Sequence, residues 1–357
     1  MTPFDLPKLI RDVFDPQPGE TVLFLVDLPT PESPDTPDWQ DRRAMAAEWR
    51  EAFIAAGTTC PPILYYPATG ANNGDLPEFG TMDGREGRLH DQLASAHIAL
   101  AFTRYSATAP LAAATRKTST LRAASLPGVL RRMQQTALAA DYAQVARKAD
   151  ALAERLQRAE AAHVTFSTGH QILFDLRFRN AHADNGRCRR GQPSCVINLP
   201  SGEAYIVPYE GERSEPSLTA GQIPVALQGE TVLLTIAQNR ITEITGTGPQ
   251  TERLRTLFDA DPARRNIAEL GLGCNDRAIV SGSVLEDEKA GMHWAYGRSE
   301  HLGGTVGPEA FRDPSFVLHN DVVYAKDSPI DIRSLTLTYP DQTEETIMRD
   351  SAYTLFP

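Results

Sequence analysis

The sequence predicts an α/β N-terminal domain at residues 1–160, followed by a β-rich α+β domain at residues 161–357. The first part alternates continuous apolar runs with amphipathic helical segments, which is the pattern of a parallel sheet with flanking helices. The second part consists of short segments rich in β-branched residues and separated by turns, which is typical of antiparallel sheets. At 357 residues the chain is also too long for one ordinary hydrophobic core.

The order of segments in residues 1–160 supports the α/β prediction. Continuous apolar runs rich in β-forming residues are typical of strands that are buried on both faces of a sheet. Such runs occur at 21–26 (TVLFLV), 62–66 (PILYY) and 97–103 (HIALAFT). Apolar residues recur at helical spacing in segments 7–14, 39–56, 89–96 and 127–158. Strands and helices therefore alternate, as they do in a doubly wound sheet.

The β-rich prediction for residues 161–357 rests on segments such as VTFSTG (164–169), QILFDLRF (171–178) and TVLLTIAQNRITEITG (231–246). Turn pairs such as Asn185-Gly186 and Gln228-Gly229 separate them. These features favour a sandwich or barrel-like antiparallel domain, and we expect it to carry the functional site.

Composition excludes several classes of function. The formal net charge of −11 opposes binding to nucleic acid or to an anionic membrane, because attraction to phosphate would have the wrong sign. No G-x-G-x-x-G or G-x-x-x-x-G-K-[ST] motif follows a predicted strand, so a nucleotide cofactor has no support. The N-terminus lacks the apolar region of a signal peptide, and no apolar run approaches membrane-spanning length. We therefore expect a cytoplasmic protein.

A histidine and a carboxylate stand two residues apart in VLHNDVVY, at His319 and Asp321. The segment is predicted as a strand, in which alternate side chains point to the same face. The pair could offer one imidazole and one carboxylate to a single metal ion. The alternative is a polar pair on an edge strand. The flanking valines and leucine favour a buried strand, in which polar side chains need partners.

Two further histidines lie upstream of this pair. His293 is surrounded by apolar and aromatic residues in GMHWAYG. Alone it would be interpreted as a hydrogen-bonded core histidine, but the nearby H-x-D pair favours a metal ligand. His301 lies in RSEHLGG, a segment that is predicted to be an exposed loop. It is either a substrate contact or a solvated side chain.

Several carboxylates could join these histidines. Glu269, in the apolar and Gly-rich segment AELGLG, is a candidate ligand, general base or helix-cap partner. Glu203 follows a Pro-Ser-Gly turn and could be a ligand or an ordinary turn residue. The run Glu286-Asp287-Glu288 is more typical of a solvated loop, although one member could orient a ligand histidine.

Taken together, these motifs resemble the aminopeptidase T family of metallo-aminopeptidases. The matching motifs are LPSGEAYIVP (199–208), AELGLG (268–273), DEK (287–289), GMHWAYG (291–297), the Gly303-Gly304 pair and HND (319–321). The resemblance implies a homodimeric exopeptidase that uses two divalent metal ions, with cobalt or zinc as the usual activators. It also implies that the metal ligands are Glu203, Glu269, His293, His319 and Asp321.

The sequence departs from that family at its catalytic tyrosine, which follows the first ligand histidine by a few residues. Glu300 or His301 occupies that position here. A second group is similar in fold: the Fe(II)-dependent ring-cleaving dioxygenases that act on dihydroxypyridines. In that interpretation His293, His319 and Asp321 would form a 2-His-1-carboxylate triad.

The sequence thus predicts a metal-dependent aminopeptidase or a related amide hydrolase that acts on small peptides or similar molecules. Two divalent ions would activate a water molecule. The predicted catalytic residues are Glu269, as bridging ligand or base, together with Glu300 or His301 in place of the tyrosine. The alternative is the mononuclear Fe(II) dioxygenase.

Overall fold

A computed structural model describes residues 4–192, 194–326 and 328–356 of the chain. The chain divides into two compact units. The first comprises Met1–Arg147, Asp184–Gly202 and Asn275–Lys289, and the second comprises Lys148–Ala183, Glu203–Cys274 and Ala290–Pro357. The sequence predicts a single boundary near residue 160, whereas the first unit also takes in two later segments of the chain.

Helices and strands are numbered separately along the chain. Within the described residues the α-helices are α1 (Leu6–Phe14), α2 (Pro37–Ala55), α3 (Leu89–Ser95), α4 (Thr108–Lys117), α5 (Tyr142–Arg158), α6 (Pro249–Ala260) and α7 (Val284–Asp287). The strands are β1 (Val22–Leu28), β2 (Leu64–Pro67), β3 (Phe79–Met82), β4 (Arg85–Arg88), β5 (Ile98–Phe102), β6 (Arg122–Ser125), β7 (Ala161–Phe166), β8 (Gln171–Asp175), β9 (His182–Asp184), β10 (Val196–Asn198), β11 (Glu203–Ile206), β12 (Ala220–Leu227), β13 (Glu230–Ala237), β14 (Arg240–Thr245), β15 (Ile267–Gly273), β16 (Gly291–Gly297), β17 (His319–Ala325), β18 (Ile332–Thr338), β19 (Glu344–Arg349) and β20 (Ala352–Tyr353).

The first unit is built on a seven-stranded sheet with the order β10-β6-β5-β1-β2-β3-β4. Its first five strands are parallel, and β3 and β4 add an antiparallel hairpin at one edge. Strand β1 is buried along nearly its whole length, as its continuous apolar run predicts. Helix α1 begins after Asp5, whose carboxylate accepts a hydrogen bond from the backbone N–H of Lys8 at 2.9 Å.

The structure corrects the helix predicted at residues 127–158. Only α5, which begins at Tyr142, is an α-helix, and it is preceded by 3₁₀ turns at Arg131–Gln134 and Ala137–Ala139. The Asp141 carboxylate accepts a hydrogen bond from the backbone N–H of Ala143 at 3.0 Å and so starts the helix there. Alanine-rich composition alone did not reveal this cap. Helix α4 and strand β6 were also not predicted from the sequence.

The second unit contains two sheets, and the antiparallel pairings include those that join β11, β15, β16 and β17 in the smaller one. One has eight strands in the order β14-β13-β12-β8-β7-β18-β19-β20, and the other has five in the order β17-β16-β15-β11-β9. A continuous hydrophobic cluster fills this unit and includes Phe166, Phe174 and Trp294. The predicted change from parallel to antiparallel pairing is therefore confirmed. None of the helices in the described part of the chain is long and apolar enough to cross a membrane.

Candidate metal centre

The five predicted ligands lie on four neighbouring strands of the five-stranded sheet. Glu203 begins β11, Glu269 lies in β15, His293 lies in β16, and β17 carries both His319 and Asp321. The strand predicted for the H-x-D pair is confirmed, so these two side chains share one face of the sheet. The glycines that follow Glu269 belong to the strand itself, because β15 extends from Ile267 to Gly273.

Each candidate ligand is paired across the sheet with a glycine or an alanine. The pairs are Glu203 with Gly273, Glu269 with Ala295, His293 with Gly271, His319 with Gly297, and Asp321 with Ala295. Small neighbours leave room for long side chains to converge over the backbone. At Gly271 a β-carbon would lie only 1.9 Å from His293 Nε2. The imidazole ring therefore occupies space that any other residue at position 271 would fill.

An irregularity in the pairing of β15 with β16 lies directly beside Glu269. Ile267 pairs with Tyr296, but Glu269 pairs with the next residue, Ala295, so that Ala268 is an extra residue on β15. Such bulges change the direction of the side chains that follow them. In this sheet the bulge adjoins the carboxylate that both candidate ligand histidines approach.

Two groups of three side chains can each hold a metal ion. The first consists of Glu203, Glu269 and His293, all of them buried. His293 Nε2 lies 3.3 Å from Glu203 Oε2 and 3.5 Å from Glu269 Oε1. Within the described residues this fully buried nitrogen makes no hydrogen bond. Buried polar atoms rarely lack a partner, so a nitrogen aimed at two carboxylates in this way indicates a site for a cation.

The second group consists of Glu269, His319 and Asp321. His319 Nε2 lies 3.0 Å from Glu269 Oε2 and 3.6 Å from Asp321 Oδ1. Glu269 belongs to both groups, and its two oxygens face different histidines. This carboxylate therefore has the placement of a bridge between two adjacent positions.

Backbone carbonyls orient both imidazole rings. His293 Nδ1 donates a hydrogen bond to Gly291 O at 3.2 Å, and His319 Nδ1 donates one to Arg298 O at 2.7 Å. Because each Nδ1 carries the donated proton, each Nε2 is directed at the carboxylates. Histidine ligands of metal ions are commonly fixed in this way.

The electrostatics of the centre depend on these contacts. Burial disfavours the charged imidazole of His293 and would lower its pKa. The Glu203 and Glu269 carboxylates outweigh this effect of burial and raise the pKa of His293 well above the ordinary value. Asp321 and Glu269 likewise raise the pKa of His319 against the effect of burial. For Glu269, burial alone would raise the pKa, but the two histidines lower it below its ordinary range. In the metal-free protein, protonated histidines therefore balance the buried carboxylates.

The donor set fits a divalent metal ion. Ligand atoms 2.0–2.2 Å from a tetrahedral zinc ion lie about 3.4 Å from one another. The distances of 3.3 Å and 3.5 Å from His293 Nε2 to the carboxylates of Glu203 and Glu269 are close to this spacing. Three carboxylates also supply the negative charge that divalent cations balance.

The structure separates the two residues that the sequence offers in place of the family tyrosine. Both lie in a 3₁₀ turn at Glu300–Leu302, where successive side chains point about 120° apart. The Glu300 carboxylate is 44% exposed and forms an ion pair with Arg298 at 2.8 Å. His301 instead packs edge-on against His319, with ring centroids 5.1 Å apart.

His301 is more buried than its sequence context suggested. Burial, followed by the charge of His319, lowers the pKa of its imidazole to about 3, so that the ring is neutral at pH 7. Its Nδ1 has no hydrogen-bond partner within the described residues. A neutral imidazole with an unsatisfied ring nitrogen thus adjoins the candidate centre.

The prediction of a solvated loop for the acidic run is wrong. Glu286 is fully buried, and its carboxylate pairs with Arg132 at 2.9 Å. Asp287 accepts hydrogen bonds from the backbone N–H groups of Ser281 and Gly282 at 2.7 Å and 3.0 Å. Both residues stabilise the first unit.

The sequence interpretation also missed Gly271 as a residue of the candidate site. Its two-residue spacing from Glu269 on a strand places it on the same face of the sheet as that carboxylate.

The fold and the centre together define a candidate metalloprotein with buried carboxylate and imidazole ligands. The family described as thermophilic metalloprotease (M29) matches residues 104–310, which is more than half of the chain. The protein belongs to this family, and the resemblance to aminopeptidase T is confirmed. Membership implies a hydrolase that depends on a divalent metal.

Solved structures show the same fold. One is 2,5-dihydroxypyridine dioxygenase from Pseudomonas putida KT2440, with a TM-score of 0.64 and 16% identity over 99% of this chain and 98% of that chain. Another is wild-type AmpT from Thermus thermophilus, with a TM-score of 0.59 and 17% identity over 98% of each chain. At these identities the likeness concerns the fold alone. No curated protein matches the sequence significantly.

Proposed function

We propose that the protein is an aminopeptidase that uses two divalent metal ions, zinc or cobalt, to hydrolyse small peptides or related amides. One observation carries the proposal: Glu269 belongs to both ligand groups and directs one oxygen toward each histidine. A carboxylate that bridges two ions is the arrangement of two-metal hydrolases. Family membership supports the hydrolytic class.

In this proposal Glu203 and His293 would hold one ion, His319 and Asp321 would hold the other, and Glu269 would offer one carboxylate oxygen to each. Bound divalent ions supply Lewis-acid polarisation of the scissile carbonyl and lower the pKa of a water molecule. The protein keeps both imidazoles in the correct tautomer through the carbonyls of Gly291 and Arg298. Of the two roles that the sequence left open for Glu269, bridging ligand and base, its contacts favour the first.

We assign to His301 the substrate contact that the family tyrosine makes. Its ring lies against His319, whereas the Glu300 carboxylate is occupied by Arg298. A neutral imidazole can donate a hydrogen bond from one nitrogen and accept one at the other. It can therefore bind the oxygen that becomes negative as the amide is attacked.

The Fe(II) dioxygenase is the second candidate, since the chain shares that fold and has His293, His319 and Asp321. Their grouping favours the hydrolase. His293 lies with Glu203 and Glu269 in one group, while His319 and Asp321 lie in the other. Three carboxylates also exceed the one that a facial triad requires.

Metal analysis combined with two assays tests the proposal. Metal-free protein would be loaded separately with zinc, cobalt or, without oxygen, Fe(II). We expect about two ions per chain and hydrolysis of aminoacyl p-nitroanilides, with no hydrolysis of N-acetylated analogues. One iron per chain, with oxygen consumption in the presence of 2,5-dihydroxypyridine, would instead establish the dioxygenase. The homodimer and the cytoplasmic location remain predictions.

A further inference from the structure

A buried carboxylate outside the ligand set binds the loop that carries His301. Glu210 follows β11, and its side chain is only 5% exposed. It accepts hydrogen bonds from Asn266 Nδ2 at 2.8 Å, Ser299 Oγ at 2.5 Å, Thr305 N at 2.6 Å, Thr305 Oγ1 at 2.7 Å and Arg179 Nη2 at 3.0 Å. A buried polar network that is fully satisfied in this way makes the segments that it joins rigid.

The contacts close a loop at residues 298–306. Ser299 and Thr305 lie near its two ends, and the Glu210 carboxylate binds both. Within the loop, Ser299 N donates to Val306 O at 2.9 Å and Gly304 N donates to Ser299 O at 3.0 Å. The packing is tight, because a β-carbon at Gly304 would lie 2.3 Å from Ser299 Oγ.

The same loop contacts the candidate metal centre in two ways. The carbonyl of Arg298 accepts the hydrogen bond from His319 Nδ1 at 2.7 Å. The ring of His301 lies edge-on against the ring of His319. The position of the loop therefore sets where His301 stands relative to the ligands.

We propose that Glu210 is a positioning residue that holds loop 298–306 in place so that His301 faces the substrate. The effect of Glu210 on catalysis rests on the proposed function. Its effect on the order of loop 298–306 does not. All five groups that surround the Glu210 carboxylate donate to it, so the position needs a side chain that only accepts. An ionised carboxylate meets this need, whereas an amide would turn its own N–H groups toward those donors.

The test variant is Glu210→Gln, and Glu212→Gln is its matched control. Glu212 pairs with the same guanidinium, that of Arg179, but its carboxylate binds no residue of the loop within the described part of the chain. We expect Glu210→Gln to lower kcat on the order of 10-fold to 100-fold while KM and metal content change little. This is the effect expected when a group that acts in the transition state is misplaced. Glu212→Gln should behave like the wild type.

Combination with His301→Ala separates positioning from general destabilisation. If Glu210 acts through His301, the double variant Glu210→Gln/His301→Ala should be no slower than His301→Ala alone. Multiplicative losses in the double variant would overturn the inference. Loss of metal together with activity in Glu210→Gln would also overturn it, because Glu210 would then serve the ligands instead.

Hydrogen exchange of backbone amides in residues 298–306 tests loop ordering without any substrate. We expect faster exchange in Glu210→Gln than in the wild type or in Glu212→Gln, and equal exchange in all three would refute the inference. If the wild type hydrolyses no aminoacyl substrate, the proposed function fails while the exchange result still decides the role of Glu210. If Glu210→Gln does not fold, the milder Thr305→Val variant, which removes one donor, replaces it in each measurement.

Discussion

Gly271 lies against the imidazole ring of His293, so closely that a β-carbon on Gly271 would come within 1.9 Å of Nε2. The two residues are direct neighbours across the pairing of β15 with β16. The ring can point its Nε2 toward Glu203 and Glu269 only because position 271 has no side chain. A residue that cannot itself bind metal is thus required for the geometry of one that can.

Gly271→Ala should therefore disrupt the first ligand group. The added methyl must displace the His293 ring, and overpacking of this kind costs about 1–3 kcal/mol of stability. We expect a clear loss of metal affinity by titration calorimetry while the circular dichroism spectrum is retained. The control is Gly87→Ala in β4, where a β-carbon would meet only Gln92 Nε2 at 3.6 Å. Unchanged metal binding in Gly271→Ala would contradict the ligand role of His293.

Removal of either member of the H-x-D pair should reduce metal binding. His319→Ala and Asp321→Ala each delete a candidate ligand. Changes of residues that only hydrogen-bond to a ligand lower metal affinity about 10-fold to 100-fold, so we expect a larger loss of metal affinity here. Asn320→Ala is the matched control, since Asn320 lies between the two on the exposed side of β17. Metal content after gel filtration gives the measurement. If both ligand variants kept full metal content, the site would be assigned wrongly.

Metal binding should stabilise the protein more as pH rises from 5 to 8. The raised pKa values of His293 and His319 mean that metal must displace protons from both imidazoles. Without metal, the stabilising contribution of the charged histidines is fully present below pH 6.5, their ordinary pKa, and is lost as pH rises through the raised values. The contribution of Glu269 is present above pH 4.5 and is lost as pH falls through its lowered pKa.

As pH rises, the metal-free protein loses the contribution of the charged histidines while metal binding becomes stronger. Both effects can be followed as the difference in Tm with and without zinc between pH 5 and pH 8. The metal-free protein should gain most from these ion pairs between pH 4.5 and pH 6.5. The difference in Tm caused by zinc should grow as pH rises from 5 to 8, because protons compete less for the two imidazoles. Asp321→Ala, which we expect to bind metal poorly, provides the baseline. A zinc effect that did not vary with pH would show that the imidazoles are not ligands.

His301→Ala should lower kcat/KM on the order of 100-fold, the usual effect of removing one group that stabilises the transition state. Metal content should remain at the wild-type level, because His301 belongs to neither ligand group. Glu300→Gln should stay within a few-fold of the wild type, since its carboxylate is exposed and paired with Arg298. The opposite ranking of the two variants would assign the tyrosine's role to Glu300.

The H-x-D pair of the candidate ligand set could be predicted from the sequence because its placement depends on local periodicity, whereas Glu203, Glu269 and His293 were added by the family resemblance. The two-residue spacing of His319 and Asp321 on a strand places both on one face whatever the strand pairs with. Residue chemistry then indicated a metal site, and the order of motifs indicated the family. Helix boundaries and the buried acidic run were less accessible, because capping by Asp141 and burial of Glu286 depend on neighbours outside their own segments.

What the sequence determined by itself was the kind of chemistry: which residue types could hold a divalent ion, and that His319 and Asp321 share one face of a strand. Only the tertiary structure decided which of Glu300 and His301 adjoins the centre. The loop that carries His301 is bound by Glu210, which is 89 residues from Ser299 and 95 residues from Thr305 along the chain. The physical reason is that strand periodicity is a local property of the backbone, whereas the direction of a loop is set by contacts between residues that only folding brings together.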